Sequence, residues 1–485
     1  MTTPRHAYTS ELAFAALLTL TGCSAEEGGG VPTLAGAVTS SGTGAAETVG
    51  AGGAGGAGGA GGTTRLATGS GGAGEGGSAV TGAGGSAASG AGGSAYVPEP
   101  IPEISAEPPA ACPNIPSGYF QFLDDSCNAK VLPSYVDRDL ACPIDDASPT
   151  VALKDGGTVT YQASSETPKF DTSALGAFVP AELMATVILI RRVKGVPYYR
   201  YLSTGDHDVP YQPWSTTKVV AAANAAAKMR SASQSKVGLT ANVGTTPLGD
   251  LVTSICNYDH SPYSSNSLGR YFHNIGTRQR ANDLIHSLWL KRPAAETFGG
   301  NYGELEPSAL GYSFVDGAEK LSVTKDTSTG FSNNLSSHTM ADIVRRLAVH
   351  REEPSYRMPG IQWLDLRVLF YGAEGSKKYG EWGGMSADTA IYLQTGHDMD
   401  YIEKRSHGRW RIFSKLGLGT GGQFLDAGYA CMPVLDDNQD PVQGWGREFV
   451  IAAHLPSGGA SWAARDRMLA KAYRAIVTRI VDGRL

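Results

Sequence analysis

The pattern of apolar and polar positions divides the 485-residue chain into stretches of different character. Ala185-Thr-Val-Ile-Leu-Ile-Arg-Arg-Val193 is a β-branched apolar run, Lys194-Gly195 reads as a turn, and Val196-Pro-Tyr-Tyr-Arg-Tyr-Leu202 follows. Two such runs across a glycine-containing turn predict a β-hairpin. Pro213-Trp-Ser-Thr-Thr-Lys218 leads into a segment to Met229 that is rich in Ala and apolar almost all round, which predicts a buried helix. Helical stretches are expected around 268–290 and 339–350. Arg409–Leu416, Gly428–Leu435 and Glu448–Leu455 read as strands, and Ala460–Asp482 as a long amphipathic helix. Strands thus occupy both ends of the region and helices its middle. With the terminal strands in one antiparallel sheet, the fold class is α/β (α+β): a sheet flanked by helices, with an inserted helical subdomain.

The first hundred residues obey another pattern. Arg5 and His6 precede the apolar run Leu12–Leu20, too short to span a bilayer and suited to the apolar core of a signal peptide. Leu20-Thr-Gly-Cys23 follows at once and resembles a bacterial lipobox, which makes 1–23 a lipoprotein signal peptide and Cys23 the lipidated residue. An ordinary secretory signal with an incidental Cys is the alternative. By the same resemblance, Ser24 favours outer-membrane sorting, so the expected location is the cell envelope, lipid-anchored, facing the periplasm or the surface. Between Ser24 and Tyr96 lie 27 of the 63 glycines, so this segment cannot build a core and 24–108 is read as a disordered linker. As a coil of about 85 residues it would span on the order of 50 Å. Residues 109–150, with Cys112, Cys127 and Cys142 in Pro-rich surroundings, read as a small collar in which two of the three pair. Cys256 and Cys431 complete an odd number after Cys23. The main domain is 151–485.

Charge and composition then exclude several classes. The formal net charge of -6 rules out a generally basic nucleic-acid binder. No apolar run approaches the length of a membrane-spanning helix. Asp206-His207-Asp208 and His397-Asp398-Met399-Asp400 read as solvated loops, there is no His-Glu-x-x-His, and neither metal nor organic cofactor is expected. A monomer is expected.

The chemistry concentrates in three short motifs. Ser215-Thr-Thr-Lys218 is a Ser-x-x-Lys in which Ser215 follows the hairpin and opens the buried helix. One helical turn sets Lys218 beside Ser215, and a helix start offers N–H groups to an oxyanion. A serine hydroxyl needs a base, and a lysine can serve. Ser233-Gln-Ser-Lys236 and Ser322-Val-Thr-Lys325 share the spacing but lie in polar or loop surroundings. Tyr263-Ser264-Ser-Asn266 supplies a Ser-x-Asn before a helical segment, with Ser332-Asn-Asn334 its decoy. Lys415-Leu-Gly417 closes an apolar-alternating strand, with Lys154-Asp-Gly156 its decoy.

In that order the motifs resemble those of the penicillin-binding protein and class A β-lactamase superfamily, over about residues 165–485. The resemblance implies a β-lactamase/transpeptidase-like fold and acyl transfer. Ser215 would be the nucleophile, Lys218 its base, Ser264 a proton relay to the leaving nitrogen, Asn266 a substrate-orienting group and Lys415 a positive charge. The backbone of Ser215 and Leu418, beside Gly417, would form the oxyanion hole. Leu416 stands where the family has a hydroxyl for the substrate carboxylate, with Thr420 as a conceivable substitute. Glu304 and Glu306 fall in the interval where a deacylating base is expected. The implied substrate is a small-molecule β-lactam; the alternatives are a D-Ala-D-Ala peptidase acting on peptidoglycan peptide and a non-catalytic surface binding module.

Overall fold

The computed structural model describes residues 96–105, 138–139, 141–256, 263–375, 383–386, 391–394 and 396–485. The expected signal peptide, Cys23, most of the linker, Cys112 and Cys127 lie outside the described residues.

Seven strands make the main sheet: β1 (Gln162–Ala163), β2 (Phe170–Asp171), β3 (Met184–Val193), β4 (Val196–Ser203), β5 (Arg411–Gly419), β6 (Gln423–Met432) and β7 (Arg447–Leu455). The order is β5-β6-β7-β3-β4-β1, with β2 parallel to β4 and the other pairs antiparallel. Strands from the two ends of the domain therefore do share one sheet, joined where Val187 of β3 faces Ile451 of β7. The β3–β4 turn is tight because Lys194 (φ 52°) and Gly195 (φ 77°) both take the left-handed conformation that a two-residue hairpin turn requires.

The helices that position the site are α1 (Lys218–Ala232), α2 (Leu248–Cys256), α3 (Ser265–Gly276), α4 (Arg278–Asp283), α5 (Ser337–Ala348), α6 (Trp363–Tyr371) and α7 (Trp462–Val481). All but α7 are inserted between β4 and β5. Helix α5 lies on one face of the sheet, where the Ser337 and Thr186 hydroxyls meet at 2.9 Å. Helix α7 covers the other, with the Tyr473 hydroxyl donating to the Asp426 carbonyl at 3.2 Å. A strand covered on both faces needs apolar side chains on both, which is why 187–190 is an unbroken apolar run instead of an alternating one. Helix α1 is buried from Lys218 through Ala227, its alanines leaving room for close helix contacts.

Several boundaries differ from expectation. Strand β5 continues to Gly419 and β6 begins at Gln423, because the turn between them uses Gly421 and Gly422 at positive φ (69° and 73°). The single helix expected over 268–290 breaks at Thr277 (φ 63°) into α3, α4 and a π-helical turn, Leu284–Leu288. Tyr96–Ser105, assigned to the linker, lies against the domain. The Tyr96 hydroxyl accepts from Arg405 at 2.7 Å, Glu99 pairs with Lys404 at 3.1 Å, and Arg474 donates to the Ser105 carbonyl at 2.6 Å. Ile101 and Ile104 pack on the core, so apolar contact ends the leash earlier than composition suggests. Of the three collar cysteines, Cys142 is bonded to Cys431 on β6, 289 positions away.

Candidate active site

Ser215 is half-buried in a 3-10 turn, Trp214–Thr217, that runs directly into α1. The sequence around it explains the turn. The Thr216 hydroxyl donates to the Pro213 carbonyl at 2.5 Å and the Thr217 hydroxyl to the Trp214 carbonyl at 3.0 Å, so two threonines brace the segment from within. The Lys218 backbone N–H donates to the Ser215 carbonyl. Trp214 itself takes φ 47°, a left-handed conformation costly for a bulky side chain, typically by ~1–3 kcal/mol. Its indole Nε1 donates to Gln423 Oε1 at 3.1 Å, an oxygen that also faces His454 Nε2 at 3.2 Å. Burial holds His454 down to about 4, so its ring is neutral at pH 7.

Lys218 is buried and reaches the second motif. Its Nζ donates to Asn266 Oδ1 at 2.5 Å and to Ser265 Oγ at 3.1 Å. Ser265 Oγ in turn donates to the Ile255 carbonyl at 3.1 Å, tying the pair to the end of α2. Ser264, the expected proton relay, is the N-cap of α3: its Oγ accepts from the Ser267 N–H at 3.1 Å and also contacts Glu304. A capping serine is the residue type a helix start selects, so part of the motif's composition is accounted for by the helix itself.

The third motif approaches the first from the outer strand. A Cβ on Gly417 would lie 3.0 Å from both the Pro213 carbonyl oxygen and Thr216 Cγ2, and one on Gly419 would lie 2.1 Å from Trp214 Nε1. The two glycines thus let β5 run against the Ser215 turn. Lys415, on the same face by strand alternation, is buried, and its Nζ donates to the Leu416 carbonyl at 3.0 Å. Leu416 is on the opposite face. It pairs with Asp426 in the register that sets Ser414 against Gly428. A Cβ on Gly428 would meet Leu393, whose short helix 391–394 packs against α7, so this is the face that α7 covers. A leucine there is a core residue. Leu418 is half-buried, and Thr420 is exposed in the β5–β6 turn, its carbonyl accepting from Gln423 Nε2 at 3.3 Å.

The two candidate glutamates separate. Glu304 is exposed and adjoins the second motif, with Oε1 accepting from Asn266 Nδ2 at 3.2 Å and its carbonyl from Arg270 at 3.1 Å. Glu306 instead accepts from the Tyr312 hydroxyl at 2.5 Å and contacts Asn274 and Lys325, away from Lys218. The decoys are spent on structure. Ser233 bonds the Met229 carbonyl at 2.8 Å, and Ser322 meets Ser313 across a hairpin at 2.8 Å. Asn333 accepts from the Gly299 and Gly300 N–H groups at 3.1 and 2.8 Å.

No motif pointed to Tyr302, yet its ring centroid lies 5.2 Å from Lys218 Nζ. Among the described residues no three metal-ligating side chains gather. His207 stacks on Phe170 at 3.9 Å, Asp208 bonds His338 at 2.8 Å, and Asp398 caps a short helix. Among the described residues no helix is long and apolar enough to cross a membrane.

No protein-family model matches the sequence, and no curated protein matches it. Solved structures of class A β-lactamases do match. One, representing the last common ancestor of Gram-negative bacteria, is 14% identical with a TM-score of 0.35, covering 61% of this chain and 92% of that one. Another ancestral class A β-lactamase is 14% identical with a TM-score of 0.36, covering 60% and 93%.

Proposed function

We propose that the domain is a serine hydrolase of the β-lactamase-like kind, which opens a β-lactam amide through an acyl-enzyme on Ser215. The observation that carries this reading is the convergence of three sequence-distant motifs on one turn. Lys218, three residues after Ser215, bonds Asn266 of the second motif at 2.5 Å, and Gly417 of the third packs on Pro213 and Thr216 either side of Ser215. In the proposed reaction the Lys218 amine takes the Ser215 proton as Oγ adds to the carbonyl carbon. Backbone N–H groups of the Ser215 turn and of β5 receive the oxyanion, with Lys415 supplying positive charge. Collapse of the adduct breaks the C–N bond, and the leaving nitrogen takes a proton by way of Ser264. Water activated by Glu304, placed on Asn266 and Ser264, then releases the acyl group.

The test is incubation with a fluorescent penicillin followed by intact-mass analysis over time. Ser215→Ala should abolish the adduct, and Lys218→Ala should slow its formation by orders of magnitude. An adduct that persists through many equivalents of substrate would move the assignment to a D-Ala-D-Ala peptidase. Labelling that survives Ser215→Ala would overturn it, and absence of labelling in the wild type would favour a binding module. The lipobox-like Leu20–Cys23 and the glycine-rich segment after it support a head tethered to the cell envelope at Cys23.

A further inference from the structure

The loop before Glu304 brings Tyr302 against both Lys218 and a buried histidine. The Lys218 ammonium lies 5.2 Å from the ring centroid, within cation–π range. The His273 ring stacks with it at 5.6 Å and an interplanar angle of 15°. The ring can come this close because α3 has a glycine beneath it. A Cβ on Gly269 would lie 2.7 Å from Tyr302 Cδ2 and 3.0 Å from Lys218 Cγ.

The hydroxyl fixes the ring's orientation, and its hydrogen bonds have a direction. Thr217 Oγ1 spends its only proton on the Trp214 carbonyl at 3.0 Å. Its 2.9 Å contact with the Tyr302 hydroxyl is therefore one in which Tyr302 donates. The 3.3 Å contact between Tyr302 and His273 Nε2 must then run from the histidine, which carries its proton on Nε2. His273 is buried, and burial holds it down to about 3, so it is neutral and brings no second cation to the ring. The chain runs from His273 through Tyr302 and Thr217 to the carbonyl just before Ser215.

We propose that Tyr302 is a positioning residue for Lys218, presenting its ring face to the ammonium while His273 and Thr217 lock the ring in place. The proposal rests on the reading of Lys218 as the base for Ser215. A base must hold the proton it takes, and an aromatic face favours the ammonium form. The effect is on when Lys218 carries charge as well as where it lies. The elements packed on α1 and the Ser215 turn carry Arg270 on α3, Arg278 on α4 and Lys415 on β5, and Glu304 shares Asn266 with Lys218. Helix α6 meets the far end of α1, where Asp365 is held by Arg230 at 2.9 Å, and the acidic residue of α2, Asp250, is in its first turn, away from the end that touches Ser265.

The experiment titrates Lys218 directly, by the 13Cε NMR shift of labelled lysine assigned through its loss in Lys218→Gln, in the full chain. Tyr302→Leu and Tyr302→Met remove the π face while keeping bulk. Each should lower the Lys218 midpoint by roughly half to one pH unit, with the acidic limb of the Ser215 labelling profile moving by the same amount. Tyr302→Phe, which keeps the face and loses the hydroxyl, should leave the midpoint within about 0.3 unit, below that range. A midpoint unchanged in both Tyr302→Leu and Tyr302→Met overturns the proposal, as does a Tyr302→Phe shift as large as theirs. If one of the two fails to fold, by circular dichroism, the other decides; if neither folds, a Tyr302→Phe midpoint displaced by half a unit or more overturns it and an unmoved one supports it. Because the titration needs no substrate, absence of penicillin labelling would sink the hydrolase reading and leave the Tyr302 result standing.

Discussion

Replacing Gly419 with alanine tests whether the packing of the outer strand holds the nucleophile turn in place. The added Cβ would fall 2.1 Å from Trp214 Nε1, 2.3 Å from Cε2 and 2.8 Å from Cδ1. Carbon atoms in contact settle at about 3.5–4 Å, so the indole must retreat by roughly 1.5 Å. The atoms met are those of a rigid ring, tied at 3.1 Å to Gln423. Losing that bond costs about 0.5–1.5 kcal/mol and overpacking about 1–3 kcal/mol, giving a destabilisation of about 1.5–4.5 kcal/mol. The effect on chemistry is separate. Trp214 stands at φ 47° with its ring tied to Gln423, and Ser215 is the next residue, so a ring forced to move is expected to carry the nucleophile with it. A displacement near 1 Å costs on the order of a hundredfold in rate. Urea unfolding gives the first quantity, and the second-order rate of labelling by a fluorescent penicillin gives the second. Gly459→Ala is the control, since a Cβ there meets nothing within 4 Å. Wild-type labelling and an unchanged urea midpoint in Gly419→Ala would refute the packing argument. Lost stability with wild-type labelling would refute only the link between the ring and Ser215.

Glu304→Gln should leave acylation of Ser215 largely intact and slow deacylation by two orders of magnitude or more, so that the adduct accumulates by intact mass, whereas Glu306→Gln should not. Removing the cross-link with Cys142→Ser should cost about 2–5 kcal/mol in urea unfolding under oxidising conditions, and equal midpoints in the two proteins would count against a formed bond. Burial first, and Arg474 second, hold His397 down to about 3, against ~6.5 in an unfolded chain. The folded state thus refuses a proton that the unfolded state accepts, so the stability from this residue is complete above pH ~6.5 and is lost as pH falls towards about 3; by pH 5 the loss amounts to about 2 kcal/mol, and His397→Leu should flatten the slope of urea midpoint against pH between 6.5 and 4. Cys23→Ser should abolish incorporation of a palmitate analogue, and equal incorporation would discard the lipid-anchor proposal.

What could be read from the sequence follows from which signals are local. The β3–β4 hairpin announces itself because a doubly covered strand is apolar at every position and its turn is Lys-Gly. Helix α1 does so through its alanines. The ordered Ser-x-x-Lys, Ser-x-Asn and Lys-x-Gly motifs gave Ser215, Lys218, Asn266 and Gly417, which the fold gathers. The rest depends on folded geometry. Ser264 and Ser265 are adjacent hydroxyls, and only the start of α3 decides that Ser264 caps the helix while Ser265 turns to Lys218. Glu304 and Glu306 are two positions apart in a loop, and the partners Asn266 and Asn274 separate them. Leu416 read as a missing hydroxyl, but strand parity makes it part of the core under α7. Tyr302 carried no signal, being an aromatic in a glycine-rich stretch outside every motif. Cys431 sat too far along the chain for spacing to suggest Cys142 as its partner.

The junction of β3 with β7 sets an order of events during synthesis. Ile190 pairs with Glu448, 258 positions later, and among the described residues only a single bridge from Asp146 to Val193 reaches β3 from nearer in the sequence on that side. From the moment β3 emerges, its open edge must wait for nearly the whole remaining chain. Such non-local pairing folds slowly, and an apolar strand with an unpaired edge is prone to join a neighbour. A ribosome that stopped before Arg447 would release no weakened version of the domain, only two unjoined pieces of sheet, β1–β4 and β5–β6, and a set of helices with no complete sheet to cover. For a protein threaded through a membrane before it folds, as the proposed export route requires, the same delay is useful: the chain stays a thread until its last forty residues have passed.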